Sequence, residues 1–165
     1  MKKLSIICLT VLMAFAMASC NKTYVYENEV YSSTVDVASS QWYWDNNTSW
    51  RVDITYKSID AAVNAHGAVL VYMESDNTWR QIPMTFYYSQ QNDDGTFSYF
   101  SSSLEVSTYQ EGLSIFWTEN DFYNGYRPES HRFKIVVIPA NIYQSRQDVN
   151  YEDYGAVKEA FQLAE

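Results

Sequence analysis

The sequence predicts a mostly β protein, an antiparallel β-sandwich of about eight strands, from three observations. Apolar and polar residues alternate along residues 50–57, which is the pattern of a strand with one buried and one wet face. Two segments of strand length, the continuous apolar run at residues 68–73 and the largely apolar run at residues 133–138, predict central strands that are covered on both faces. The predicted strands follow one another through short turns, which favours antiparallel pairing.

After the first nineteen residues, which are considered below, a polar tether is predicted over residues 20–33. It can end as a first strand. A single domain over residues 34–165 follows, because no Pro-, Gly- or Ser-rich linker divides it. After strand 50–57, a short helix is expected near residues 59–66. Ser58 is its predicted N-cap and Gly67 its end.

The middle of the domain is predicted to be a series of hairpins. Asp76-Asn77 is typical of a hairpin turn after strand 68–73. The next strand, over residues 79–88, contains Pro83, which cannot donate a hydrogen bond to a sheet, so we expect an edge strand or a bulge there. The turn at residues 93–95 (DDG) leads into the next strand.

Short strands continue to the C-terminal helix. We expect strands at residues 96–101, 104–109 and 113–117, a loop over residues 119–130, and the central strand 133–138, which Pro139 ends. A helix near residues 151–163 is predicted, with Asn150 as its N-cap and acids in its first turn.

The first twenty residues have the pattern of a bacterial export signal. Lys2 and Lys3 precede an apolar run over residues 6–18, which is too short to span a bilayer as a helix. The run ends in Met17-Ala18-Ser19-Cys20, which resembles the lipobox of bacterial lipoproteins. The resemblance implies a signal helix, cleavage of residues 1–19, and diacylglycerol on the thiol of Cys20. An ordinary secretory signal with an incidental cysteine is the alternative.

Lipidation has consequences for location and chemistry. The acyl chains on Cys20 would attach the protein to a membrane that it does not span. Cys8 would leave with the signal peptide, so the mature domain would hold no free cysteine. Disulfides, thiolate catalysis and cysteine-ligated metals are therefore not expected.

Several segments resemble small uncharacterised lipoproteins of Bacteroidales bacteria. They are residues 67–72 (GAVLVY), 79–84, 133–139 (FKIVVIP) and 151–158 (YEDYGAVK). The resemblance covers most of the mature domain. It implies a β-sandwich and a cell-envelope location at the outer membrane, on its periplasmic face or at the cell surface. It supplies no catalytic or binding residues.

The sequence offers few groups for catalysis. With a formal net charge of −9 the chain repels phosphate backbones, so no nucleic-acid partner is expected. Neither His66 nor His131 has a metal-binding spacing, and neither a GxSxG motif nor a Gly-rich phosphate loop occurs. We expect no catalytic residue, no metal and no cofactor.

Acidic residues in turns leave two alternatives open. Glu119 and Asp121 are the pair that most suggests a glycosidase, although turn-rich loops carry acids in any case. Asp93-Asp94 and residues 120–124 offer oxygen ligands for calcium, but their spacing is not that of an EF-hand, and solvated turn acids are the preferred interpretation.

Aromatic residues, which make up 17% of the chain, are the main candidates for recognition. Trp50, Trp79 and Trp117 are expected in the core. The segment 42–44 (WYW) must present a ring on each face of the chain, and the loop 119–130 adds further tyrosines. Protein interfaces and sugar-binding sites both use such rings. The candidate ligand-binding residues are Trp42, Trp44, Tyr123 and Tyr126.

Three functions remain as hypotheses. The first is a non-enzymatic structural or protein-interaction module of the cell envelope. The second is a glycan-binding surface lipoprotein, and the third, less favoured, is a hydrolase.

Overall fold

The computed structural model describes residues 29–121 and 125–164. In these residues nine strands form two antiparallel sheets that pack face to face, with three α-helices and one 3-10 helix. The prediction of a mostly β antiparallel sandwich is confirmed. The signal helix, Cys20 and Tyr123 lie outside the described residues.

The first sheet has four strands in the order β1-β9-β4-β5. Their bounds are Tyr31–Val37 for β1, Ala68–Ser75 for β4, Thr78–Ile82 for β5 and His131–Ile138 for β9. The second sheet has five strands in the order β2-β3-β8-β7-β6. Their bounds are Tyr43–Asp45 for β2, Ser49–Thr55 for β3, Met84–Gln91 for β6, Phe97–Tyr109 for β7 and Gly112–Glu119 for β8.

The main core lies between the two sheets. Val71 on β4 and Ile135 on β9 face Leu104 on β7 and Ile115 on β8 within one buried cluster. These residues alternate along their strands with residues of the opposite face, as the period of two predicted. Both apolar runs, on β4 and β9, lie at the centre of the first sheet, as expected.

A second core covers the outer face of the first sheet. The C-terminal helix α3 (Tyr154–Phe161) packs Tyr154 and Val157 against Tyr72 and Val136. The hydroxyl of Tyr72 also donates a hydrogen bond to the backbone oxygen of Tyr151, at 2.6 Å. Because β4 and β9 are covered on both faces, the residues 68–73 of β4 and 135–138 of β9 are apolar at every position.

The helices begin later than predicted, because aspartates cap them. In α1 (Ala61–His66) the carboxylate of Asp60, not Ser58, accepts a hydrogen bond from the Val63 amide. In α3 the cap is Asp153 rather than Asn150. Two further helices were not predicted from the sequence: α2 (Ala140–Ser145), which follows Pro139, and the 3-10 helix Ser39–Gln41.

Three predicted strands have different bounds in the structure. The predicted strand 79–88 is two edge strands, β5 and β6, and the chain passes from the first sheet to the second at Pro83. The predicted strands 96–101 and 104–109 are one strand, β7, because Ser102 continues the ladder to Phe86 on one side and Glu119 on the other.

All described strands, helices and core residues lie between Tyr31 and Leu163. A polypeptide that begins at Glu29 therefore contains both cores and every sheet of the described fold, and we expect it to fold without the preceding residues.

Candidate interaction surfaces

Trp42 is a core residue, which corrects its assignment as a ligand-binding residue. Its side chain is 1% exposed and packs edge-on against Trp117, at 6.3 Å between ring centroids, and against Phe133, at 6.4 Å. The 3-10 helix Ser39–Gln41 turns the chain so that Trp42 points between the sheets. A surface ligand cannot reach this ring.

Trp44 and Tyr126 belong to neighbouring parts of the surface. Trp44 is half-buried and packs against Trp50 at 5.5 Å, and the guanidinium of Arg127 lies 5.2 Å from the centroid of the same Trp50 ring. Tyr126, next in the chain to Arg127, is 55% exposed. Two hydrogen bonds, from Ser39 to Ser130 and to Pro128, also join the segment before Trp42 to this loop.

Glu119 is the buried centre of a polar cluster rather than a loop residue. It ends β8 and is buried. The indole of Trp117 donates to its Oε1 at 2.7 Å, and the hydroxyl of Tyr88 donates to its Oε2 at 2.7 Å. The hydroxyl of Ser102 lies 2.9 and 2.8 Å from the two oxygens and donates to one of them. Burial and the hydrogen bond to Glu119 raise the pKa of Tyr88.

The Glu119 cluster joins three strands and holds β6 in place. Tyr88 lies on β6, Ser102 on β7 and Trp117 on β8. Phe86, also on β6, stacks on Trp117 at 6.0 Å. Since both oxygens of Glu119 accept hydrogen bonds from side chains, this carboxylate acts as a structural tie within the sheet.

The two histidines have different surroundings. His131 stacks on Trp117 at 5.1 Å between ring centroids, and burial lowers its pKa, partly offset by Glu129. His66 is exposed at the end of α1. Within residues 29–121 and 125–164, no group of three or more His, Cys, Asp or Glu side chains could hold a metal ion.

The most exposed aromatic residues lie on a projecting hairpin. At residues 102–104 β7 pairs with both β6 and β8, and Asn120 adds a backbone hydrogen bond to Ser101. Nearer the turn, over residues 97–100, β7 pairs only with β6 among the described residues. We call residues 87–100 the hairpin arm.

Each face of the hairpin arm carries aromatic rings. On one face Tyr87 is 84% exposed, Tyr99 is 77% exposed and Phe97 is 54% exposed. Tyr87 is opposite Ser101 and Tyr99 is opposite Ser89, which makes the two tyrosines diagonal neighbours. On the other face Tyr88 and Phe100 stack at 5.4 Å. A two-stranded ribbon has no core of its own to cover such rings.

The tip of the hairpin arm is a defined turn. The Asn92 amide donates to the Thr96 oxygen at 2.8 Å, and Gly95 has the positive φ of 83° that glycine adopts most readily. The carboxylate of Asp94 accepts hydrogen bonds from the hydroxyl and the amide of Thr96, which lower its pKa. The sequence predicted this turn, but not that the strands beside it extend beyond β8.

A polar network occupies the outer face of the second sheet. The hydroxyl of Tyr43 and the guanidinium of Arg51 both donate to Asp53, at 2.7 and 2.8 Å, and Ser114 donates at 2.6 Å. Burial and the hydrogen bond to Asp53 raise the pKa of Tyr43 to about 12. Burial acts to raise the pKa of Asp53, but the hydrogen bonds from Ser114, Tyr43 and Arg51 outweigh it and lower that pKa.

Comparisons with known proteins found no match among protein-family models, curated proteins or solved structures. In the part of the chain that the structure describes, none of the helices has the length and apolar character needed to cross a membrane.

Proposed function

We propose that this chain is a lipid-anchored lipoprotein of the bacterial cell envelope, at the outer membrane, whose β-sandwich is a non-enzymatic protein-interaction module. The anchor is the lipid on Cys20, and its support is the basic, apolar and lipobox-like pattern of residues 2–20.

The exposed rings of the hairpin arm are the observation that carries this proposal. Tyr87 and Tyr99 expose most of their side chains beside each other on a ribbon that has no covering layer in the described residues. Exposed apolar patches on soluble domains mark sites of interaction. Tyrosines are enriched at protein interfaces because a rigid ring supplies contact area while the hydroxyl stays hydrogen-bonded.

The setting of Glu119 supports a non-enzymatic role. A glycosidase acid must reach a substrate oxygen, and its partner carboxylate must face the same bond. Glu119 is buried, and its oxygens accept hydrogen bonds from Tyr88, Trp117 and Ser102. This arrangement suits a carboxylate that links neighbouring strands better than one that donates a proton to a substrate.

Site-specific photo-cross-linking in intact cells tests the interaction function. A photoreactive phenylalanine analogue replaces Tyr99 on the hairpin arm, or Tyr109 as a matched control. Tyr109 is an exposed ring on the same strand and face, but at the other end. We expect protein adducts from position 99 and few from position 109. Equal adducts at both positions, or none at either, would contradict the proposal.

Glycan binding is the second candidate, and the outer-face network favours it. Tyr43 presents a partly exposed ring beside Arg51, Asp45 and Asp53, so a ring face and hydrogen-bonding groups lie together. A glycan array with residues 29–165 and with the Tyr43→Ala variant tests it. Binding that the variant loses would favour this function over protein interaction.

A further inference from the structure

The outer strand of the hairpin arm, β6, is an unprotected sheet edge. It ends the order of the second sheet, and no described strand pairs with its other side. Its eight residues, MTFYYSQQ, carry no charge. Edge strands present unpaired backbone groups and are normally blocked by charges, prolines or bulges. Pro83 precedes β6, and none of these devices interrupts the strand itself.

The other three edges are protected. β2 has only three residues and carries Asp45. β5 carries Arg80, whose backbone forms a bridge to Asp153 of the C-terminal segment. β1 carries Asp36, which is paired with Arg132. Among the described strands β6 is therefore the one long, uncharged edge.

We propose that β6 pairs with β6 of a second copy of this chain, antiparallel and around a twofold axis, to form one continuous sheet across both copies. This inference rests on the proposed interaction function and names the partner of the hairpin arm. Edge-to-edge pairing satisfies the free backbone groups of both copies at once.

Successive side chains of β6 lie on opposite faces of the sheet, and this limits the pairing registers that such a dimer can use. Facing residues of antiparallel strands lie on the same side of the sheet. A twofold axis at Tyr87 places Tyr87 opposite its own copy and Thr85 opposite Ser89. Both outer faces then lie on one side, where the exposed Tyr87 rings of the two copies meet and Tyr99 of each copy lies diagonally beside its own Tyr87.

Charge favours a second copy at this edge. The chain has 20 acidic and 11 basic residues, so most faces of two copies repel each other. No charge occurs from Met84 to Asn92, so β6 offers an approach without that repulsion. The opposite edge of the same sheet is the three-residue β2, so growth into a filament has little to pair with, and the assembly closes as a dimer.

The exposed rings of the hairpin arm supply about half of the area that a standard dimer interface buries. With roughly 200 Å² for each aromatic side chain, the exposed parts of Tyr87, Tyr88 and Tyr99 amount to about 400 Å² per copy. Backbone pairing along eight residues adds to this. A standard interface buries about 800 Å² per partner.

Cysteine cross-linking of residues 29–165 tests the register. The native cysteines are Cys8 and Cys20, so the Tyr87→Cys variant of this polypeptide has a single thiol. Directly opposed residues have Cα atoms about 4.5–5.5 Å apart, which suits a disulfide. We expect a covalent dimer on mild oxidation. Thr34→Cys, on the exposed side of edge strand β1, is the matched control and should stay monomeric.

Sedimentation equilibrium of residues 29–165 tests the association itself. The parent should have twice the monomer mass, and Tyr87→Lys or Ser89→Lys should have the monomer mass with an unchanged circular dichroism spectrum. A monomeric parent, or a folded lysine variant that stays dimeric, would overturn the inference. If the parent is monomeric but position 99 still forms adducts with other proteins in cells, only the second-copy inference fails. If position 99 forms no adducts at all, the proposed function fails as well.

Discussion

At the scale of single residues, the Glu119 cluster shows how one carboxylate can organise a sheet. Its oxygens accept hydrogen bonds from three side chains on three adjacent strands. Hydrogen bonds to a charged acceptor are stronger than those between neutral groups. The stacked rings of Phe86, Trp117 and His131 extend from this cluster across to the first sheet.

Glu119→Gln should destabilise the domain by about 1–3 kcal/mol, because the amide nitrogen of glutamine cannot accept a hydrogen bond and one buried donor loses its partner. Urea denaturation of residues 29–165, followed by circular dichroism, measures the change. Glu105→Gln on β7 is the control, since Glu105 is exposed, and its stability should match the parent. Equal stability of all three proteins would show that the cluster contributes nothing.

His131 should make the fold sensitive to mild acid. Its folded pKa is lowered below the ordinary 6.5 by burial, so the folded state binds fewer protons than the unfolded state in this range. The free energy of unfolding therefore falls as the pH drops through about 6.5 towards the folded pKa. His131→Phe keeps a ring against Trp117 and removes the titration.

Urea melts at pH 8 and at pH 5.5 measure this effect. At pH 8 both proteins have a neutral ring at position 131, and their difference reports packing alone. Between pH 8 and pH 5.5 the parent should lose more stability than the variant. Parallel losses would mean that His131 does not contribute to the acid sensitivity.

At the scale of elements, the sequence predicted what short-range chemistry determines. The apolar runs on β4 and β9 predicted central strands, and the Asp76-Asn77 and Asp93-Asp94-Gly95 turns are at the expected hairpins. Helix starts were less predictable, because two possible N-caps precede each of these helices and tertiary packing decides between them. The alternatives are Ser58 and Asp60 for α1, and Asn150 and Asp153 for α3.

Contacts between distant parts of the chain explain why the sequence could not predict which aromatic rings are exposed. Trp42 and Trp44 look equivalent in sequence, but the 3-10 helix before Trp42 turns only that ring into the core. The adjacent Tyr87 and Tyr88 indicated that one ring points outward. The sequence could not show that β8 ends at Glu119 while β6 and β7 continue as a projecting arm.

Val71→Asp should be the most destabilising of these changes, by more than about 4 kcal/mol, because it places an unpaired charge between the two sheets. Val71 is buried at the centre of β4. Thermal melting of residues 29–165 measures it, with Thr34→Asp on the exposed side of β1 as the charge-matched control. A melting temperature like that of the parent would contradict the central position of β4.

At the scale of the whole molecule, the two sheets differ in how much of their surface is covered. The first sheet is covered on both faces, by the second sheet and by the C-terminal helix. The second sheet leaves one face and the hairpin arm open to solvent.

The anchor itself is tested by Cys20→Ala in the full chain, expressed in a bacterial host that is fed a palmitate analogue. Acylation of the lipobox cysteine requires its thiol, and several acyl chains on one residue hold a protein firmly in a bilayer, since each buried CH₂ contributes about 0.8 kcal/mol. The parent should carry the label and sediment with membranes, whereas Cys20→Ala should lose the label.

Cys8→Ala is the matched control, because Cys8 lies inside the apolar run and should be removed with the signal peptide, so this variant should label like the parent. Undiminished label on Cys20→Ala would show that acylation does not depend on Cys20. A parent that carries no label and does not sediment with membranes would contradict the anchor, and the domain would then act as a secreted rather than an anchored module.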